Sequence, residues 1–245
     1  MATLYHYTSL NTLVKIIGGI KNNKMYLRAG NAKKMNDPND CYYFVNLLVQ
    51  RGKIDTTSMN EICDMKDKYD SPYLISLSEH MDDLHMWNCY GDDGRGVAIG
   101  IELENLRKDV VSFFDKNHIS TKLYECKYPN INDLPENEEF EVINVLNAVD
   151  RNFWTNEDIS NISNIVKHPA YEYEKEWRIV IRHGEKEPAI NGVFKEEAFF
   201  VDIPISHVKT IVVGPSANYE AVKKVFSPFF DEKIFVKSTI PYRSK

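Results

Sequence analysis

Cysteine is sparse in this 245-residue chain: Cys41, Cys63, Cys89 and Cys126 are scattered, and no two form a C-x-x-C pair. A disulfide framework or a structural zinc site needs paired, closely spaced ligands, so neither is expected and reduced thiols are the default. No apolar run reaches bilayer length, and the opening MATLYHYTSL has no basic stretch leading into a long apolar one. Neither membrane insertion nor a signal peptide is therefore expected, and the chain reads as cytoplasmic with no membrane partner. Excess positive charge is missing too. The net charge of −6 argues against broad nonspecific nucleic-acid binding, although a local basic patch remains open. There is no internal repeat and no low-complexity segment. The glycine-rich turn Gly91-Asp92-Asp93-Gly94-Arg95-Gly96 matches neither a phosphate-binding loop nor a dinucleotide fingerprint. Strands and helices do not alternate regularly, which argues against a doubly wound nucleotide fold.

What is present can build a substantial core: 43% of residues are hydrophobic, with fourteen Tyr, twelve Phe and three Trp,. Strands are expected at Thr3–Tyr7, Met25–Arg28, Tyr73–Ser78, Val97–Leu103, Ile119–Tyr128, Glu176–His183, Phe199–Ile203, Val208–Val213 and Lys233–Lys237,. Leu10, Leu13, Val14 and Ile17 recur at helical spacing after Thr8-Ser9 as a cap, and Gly18-Gly19 stop that helix,. Further helices are expected at Tyr42–Gln50, Ser58–Tyr69, around His85–Tyr90 and at Tyr219–Phe230. Residues 130–139 form an acidic connector, Phe140–Ile165 carries two helical segments, and Gly184–Glu197 is a charged, hairpin-like excursion,. Many short strands with helices clustered between them imply an α+β fold around a split, mostly antiparallel sheet. The expectation is one domain over 1–245 with a helical insertion at about 130–168.

The chemistry centres on Tyr171–Val180, YEYEKEWRIV. Glu174 and Glu176 are two apart at the entry to a strand, where alternate side chains share a face. Two adjacent carboxylates should repel, raising the pKa of one and making a catalytic pair. The competing reading is a solvated edge strand whose glutamates pair with Lys175 and Arg178. His6 sits where a strand meets a helix N-terminus, a junction with free N–H groups, although a lone His is more often structural. Asn36, Asp37 and Asp40 around Pro38 can hold a cation or ligand hydroxyls, or simply make a turn,. Ser76 and Ser78 share one strand face and can line a polar cleft floor. Trp87 and Tyr90, three apart, share a helical face for core packing or ring stacking. Arg95 and Arg178 are read as structural ion pairs rather than pyrophosphate ligands.

The order LYHYTS, NDP, LISLSE, MWNCYGDDGRG, KHPAYEYEKEWRIV and VKTIVVGP resembles the bacterial domain-of-unknown-function family 2971 over nearly the whole chain. More deeply, the chain resembles the ADP-ribosyltransferase superfamily. LYHYTSLNTLVKIIGG is similar to its first motif in the His variant, Ser76-Leu77-Ser78 looks like an S-T-S strand with Leu77 departing from the pattern, and Glu174-Lys175-Glu176 resembles its E-x-E. A His-type first motif combined with E-x-E departs from both main branches. The resemblance implies NAD as substrate and cleavage of the nicotinamide–ribose bond through an oxocarbenium-like transition state. In that role Glu176 stabilises the ribose cation and bonds the 2′-hydroxyl, and Glu174 faces the acceptor as orienter or base. It also implies that His6 holds the adenosine-side ribose and that Tyr7 and Thr8 lie along the cofactor. Ser76, Ser78 and Tyr90 would shape the nicotinamide pocket, and no metal is needed. The implied partner is an unknown protein or nucleic-acid acceptor, with a toxin or anti-phage defence role and an antitoxin or immunity partner. An NAD glycohydrolase is a close variant. The alternatives are a non-catalytic ligand-binding or sensor module, and a metal-dependent hydrolase using Asp37, Asp40, Glu174 and Glu176.

Overall fold

Alternation sets the first strand, β1 (Thr3–Thr8), with Leu4 in one apolar cluster and Tyr5 and Tyr7 in another,. Ser9 then caps α1 (Leu10–Gly18) by accepting from the Thr12 N–H, and Gly19 closes it,. Leu13, Ile16 and Ile17 are the residues this helix buries, whereas Val14, expected on that face, is 55% exposed. A computed structural model describes residues 2–20, 22–34, 40–50, 52, 54–68, 72–117, 119–129, 161–182, 194–195 and 198–242.

The other strands are β2 (Lys24–Asn31), β3 (Tyr73–Ser78), β4 (Val97–Glu102), β5 (Ser120–Glu125), β6 (Glu176–Arg182), β7 (Phe194–Lys195), β8 (Ala198–Pro204), β9 (Val208–Val213) and β10 (Phe235–Lys237). They join in one sheet, running β10-β9-β4-β1-β3-β2-β8-β7, with β6 on β3 and β5 on β6. Among these strands only β10 and β9 pair in parallel, so the sheet is mostly antiparallel, as expected.

The arrangement around β3 creates the site. One edge of β3 pairs along its whole length with β6, from Tyr73 opposite Ile181 to Ser78 opposite Glu176. The other edge is divided. Gly30 and Asn31 of β2 meet Leu74 and Tyr73, while Tyr5 of β1 meets Ser78. Ile75, Ser76 and Leu77 have no strand partner there, and β1 and β2 part company. The sheet is split at this fork.

Helices cover both faces. Beneath, α1, α5 (Leu103–Asn117) and α6 (Tyr219–Phe226) bury Leu13, Ile17, Val110, Phe113, Val222 and Phe226 against Ile75, Leu77 and Ile179. On the opposite face, α2 (Tyr43–Gln50) and α3 (Thr56–Lys68) pack Phe44, Leu48 and Ile62 with Leu74 and Val180. Beside them α4 (Leu84–Tyr90) buries Met86 and Trp87 against Tyr5 and Tyr7. The odd and even residues of β3 therefore serve different layers, as a period of two requires.

Most expected elements stand within a residue or two of their predicted limits, but α5 does not appear among them. Its signal is present: Leu106, Val110 and Phe113 recur at helical spacing and are all buried,. The body of the expected insertion, 130–160, and most of the 184–197 excursion lie outside the described residues. The final residues of that insertion are not detached: Val166 forms a parallel bridge with Lys127 beyond the end of β5.

Gly96, at the entry to β4, shows how closely backbones approach beside α4. A Cβ there would sit 2.1 Å from the Thr8 carbonyl oxygen, too close for any side chain. Gly96→Ala is expected to destabilise the protein by about 3 kcal/mol, a typical upper cost of overpacking, measured as a shift in urea midpoint.

Candidate functional site

The fork opens into a cleft of about 350 Å³, lined among others by His6, Ser76, Tyr90, Lys167, Glu174 and Glu176. A broader depression of about 680 Å³ runs along α5, but Glu104, Arg107, Lys108, Asp115 and Lys116 make it an ordinary charged helix surface. Convergent buried polar groups are found only in the first.

His6 occupies the gap. Its Nδ1 lies 3.0 Å from the Ser76 carbonyl oxygen, so the ring donates to a carbonyl facing the fork and keeps Nε2 as an acceptor. Burial lowers its pKa, more than the bond to Ser76 raises it, and the ring is neutral at pH 7,. The Ser76 hydroxyl is buried and has no hydrogen-bond partner among the described residues. An orphaned buried donor is costly and uncommon. Here it lines a cleft.

The opposite wall comes from the segment before β6. His168 caps a 3-10 turn, Pro169–Glu174, by accepting from the Ala170 N–H, with Pro169 at its first position,. Lys175 then adopts a left-handed conformation (φ 42°) before Glu176 begins the strand. The Ser78 hydroxyl donates to the Glu174 carbonyl at 2.7 Å, and the Glu79 N–H donates to the Lys175 carbonyl at 3.2 Å, fixing this turn to β3. Glu174 and Glu176 thus converge through a turn and a left-handed residue, not through strand alternation.

Both carboxylates meet one cation. Lys167 Nζ donates to Glu174 Oε2 and, at 2.8 Å, to Glu176 Oε2. Arg178 holds Glu176 through Nε at 2.9 Å and Nη2 at 3.1 Å, and reaches Asp40 bidentately at 2.8 and 2.7 Å. Its Nη1 also donates to the Asn164 carbonyl at 2.9 Å. Tyr90 Oη donates to Glu174 Oε1 at 2.6 Å. The resulting chain is Asp40, Arg178, Glu176, Lys167, Glu174, Tyr90. All five charged members are buried, Arg178 completely.

The expected repulsion between the glutamates does not raise the pKa of Glu176. Burial alone would raise the Glu176 pKa, but Arg178 and Lys167 overcome it and hold the carboxyl at about 2,. Burial would likewise lower Lys167, yet Glu176 and Glu174 keep it above the usual lysine range. The Tyr90 phenol is pushed up by burial and by its bond to Glu174. Nor is β6 a solvated edge: it lies between β3 and β5, and the partner of Lys175 is the surface residue Glu172.

Of the expected site residues, the fork brings together His6, Tyr7, Ser76, Tyr90, Glu174 and Glu176. Tyr7 presents its ring while its hydroxyl donates to the His80 carbonyl at 3.0 Å. Thr8 and Ser78 are placed elsewhere. Thr8 is buried opposite Val97 at the end of β1, and Ser78 is spent on the turn; neither lines the cleft. Trp87 and Tyr90 also divide, Trp87 being buried edge-on to Tyr7 and Tyr90 reaching the cleft. Arg95 is exposed and pairs with Asp92 and Asp93. Asn36 and Asp37 lie outside the described residues. Asp40 and Glu176 face each other across a guanidinium, so a cation already occupies the position a bridging metal would take. Among the described residues, no group of three His, Cys, Asp or Glu is arranged to hold a metal ion. Lys167 is the functional candidate that spacing alone did not reveal. Its only trace was its position in KHPAYEYE, seven residues before Glu174.

Residues 86–179 match the model of a family described as a protein of unknown function (DUF2971), which supports the resemblance to that family. The matched segment carries Tyr90, Lys167, Glu174, Glu176 and Arg178, but not β1 or β3. No curated protein and no solved structure matches the chain.

Two outcomes follow from the buried chain. Asp40→Ala leaves Arg178 short of a partner and is expected to cost about 3–5 kcal/mol by chemical denaturation. On acidification the unfolded Glu176 takes its proton near 4.5 and the folded one near 2. Stability is therefore lost as pH falls across that window, by roughly 3 kcal/mol. Glu176→Gln is expected to remove this component, so that the wild-type minus variant difference shrinks as unfolding is followed from pH 6 to 2,.

Proposed function

We propose that the fork cleft binds NAD and that the protein is an ADP-ribosyltransferase, cleaving the nicotinamide–ribose bond and passing ADP-ribose to a macromolecular acceptor. One observation carries this reading. A sheet split over Ser76 places a neutral His6 and an orphaned hydroxyl in the same cleft as a water-poor carboxylate pair at a strand start.

The reaction breaks the bond from ribose C1′ to the pyridinium nitrogen. The electron pair goes to the ring, which leaves as neutral nicotinamide, and the ribose becomes oxocarbenium-like. An acceptor oxygen or nitrogen then bonds C1′ and gives up a proton. Glu176 suits the electrostatic part: with a pKa of about 2 it is a standing negative charge, held rigid by Arg178. Its Oε1 accepts only from Arg178 Nε, leaving lone-pair capacity for a sugar hydroxyl. Glu174 stands on the acceptor side, and the half-exposed Tyr90 ring offers a stacking surface to the nicotinamide,.

A second reading rests on a different fact. All four oxygens of the glutamate pair already accept a hydrogen bond from Tyr90, Lys167 or Arg178. That self-sufficiency favours a sensor module that binds the dinucleotide without turning it over.

Nicotinamide release from NAD by purified protein, with and without cell lysate, separates the two. Release that falls about 10²–10³-fold in folded Glu176→Gln protein supports catalysis, and dependence on lysate supports transfer rather than hydrolysis. Calorimetric NAD binding without release supports the sensor. Neither binding nor release overturns both.

A further inference from the structure

The buried chain contains three carboxylates, Asp40, Glu176 and Glu174, but only two cations, Arg178 and Lys167. Arg178 is completely enclosed, between Asp40 and Glu176. Both cations line the cleft, but of the two it is Lys167 that touches both glutamates and stands 4.8 Å from the Tyr171 ring, which lines the same wall. A cation held by two carboxylates and an aromatic face occupies the kind of surroundings that bind a cationic ligand. Its backbone is fixed independently, by the Lys167 N–H donating to the Lys127 carbonyl at 2.9 Å. The ammonium is therefore tethered to a rigid point while its charge faces the cleft.

We propose that Lys167 is a built-in counter-ion that sets the charge selectivity of this cleft. With Lys167 in place the buried chain by itself carries one negative charge in excess, the exposed Arg28 and Lys34 lying elsewhere on the cleft lining, and the cleft accepts a ligand bearing one positive charge next to the glutamates. Without it the excess becomes two and preference for the cation rises. Without Glu174 the excess disappears and preference falls. His6 adds no charge to this balance, because burial keeps it neutral. The proposal rests on the dinucleotide reading for the identity of the ligand, since the nicotinamide ring of NAD is cationic and that of NADH is neutral. It assigns to Lys167 a role in choosing between them, separate from any bond cleavage.

The test is the ratio of NAD to NADH affinity, by calorimetry at pH 8, in wild type, Lys167→Met, Lys167→Arg and Glu174→Gln. Each protein is first checked for cooperative unfolding. The ratio is expected to rise at least about tenfold in Lys167→Met and to fall at least about tenfold in Glu174→Gln, the size of one charge interaction at an effective dielectric of about 20 across roughly 12 Å. Lys167→Arg is expected to stay near wild type. Should Glu174 take up a proton in Lys167→Met, wild type against Glu174→Gln still reads the effect. A ratio equal in wild type, Lys167→Met and Glu174→Gln overturns the proposal. If wild type binds neither dinucleotide, the NAD reading fails by itself. The same variants are then titrated with 1-methylnicotinamide cation and uncharged nicotinamide, and absence of the ordered preference in that pair overturns the counter-ion role too.

Discussion

A guanidinium with no exposure to solvent must find acceptors on every side, and Arg178 finds them in three separate parts of the chain. Asp40 precedes α2, Asn164 belongs to the segment leading to Lys167, and Glu176 opens β6. Taking these charges out of water is expensive, and a hydrophobic replacement of equal volume would often be as stable. What the ions supply is geometry. A bidentate fork tolerates little rotation, so the sheet, the α2 entrance and the 161–168 segment are held in one arrangement around β6. Lys167 extends that arrangement to Glu174 and Tyr90, on α4. The wall of the cleft is therefore a rigid product of ion pairing, not a loop surface.

The fork is the complementary half. Antiparallel strands normally satisfy each other's backbone groups, and where β1 and β2 diverge Ile75–Leu77 keep β6 on one edge but pair with neither β1 nor β2 on the other. His6 repairs part of that gap by donating to the Ser76 carbonyl. Among the described residues the Ser76 hydroxyl has no partner. A protein that leaves a buried hydroxyl orphaned next to a rigid, charged wall has kept a local cost that packing could have removed. Ligand binding is the economical explanation, since a ligand would supply the missing partner.

Much of this was legible in the residues, and the remainder fails for identifiable reasons. Strand and helix periods located β1, β3, β6, β9 and α1, because one buried face leaves a clean pattern. A split or mostly antiparallel sheet was legible in the pattern of elements, but not where it splits, since strand order is not encoded in periodicity. The E-x-E pair was visible, but its convergence was attributed to strand alternation. A left-handed Lys175 gives no signal, because lysine is not a residue that favours that conformation. Ser76 and Ser78 looked equivalent on one face, yet hydrogen bonding sends one to the cleft and the other to the turn. Lys167 escaped, and Asp40 was visible only as a cation or turn residue, because their pairing is purely tertiary: 138 positions separate Asp40 from Arg178. No local rule joins them.

The same network decides what the carboxylates can do. A glutamate beside another glutamate reads, from sequence, as a candidate proton shuttle with a raised pKa. Two cations invert that expectation at Glu176, whose pKa is lowered to about 2. A permanently ionised, immobile carboxylate is a poor general base, since efficient proton transfer wants a pKa near the working pH. It is well suited to stabilising a positive charge that appears during a reaction, because its orientation needs no adjustment when that charge develops. The acid–base part of any transfer then falls to Glu174 or to the acceptor itself. Chemistry that makes a transient cation and asks little of proton transfer suits such a wall, and the proposed loss of a pyridinium leaving group would be chemistry of that kind.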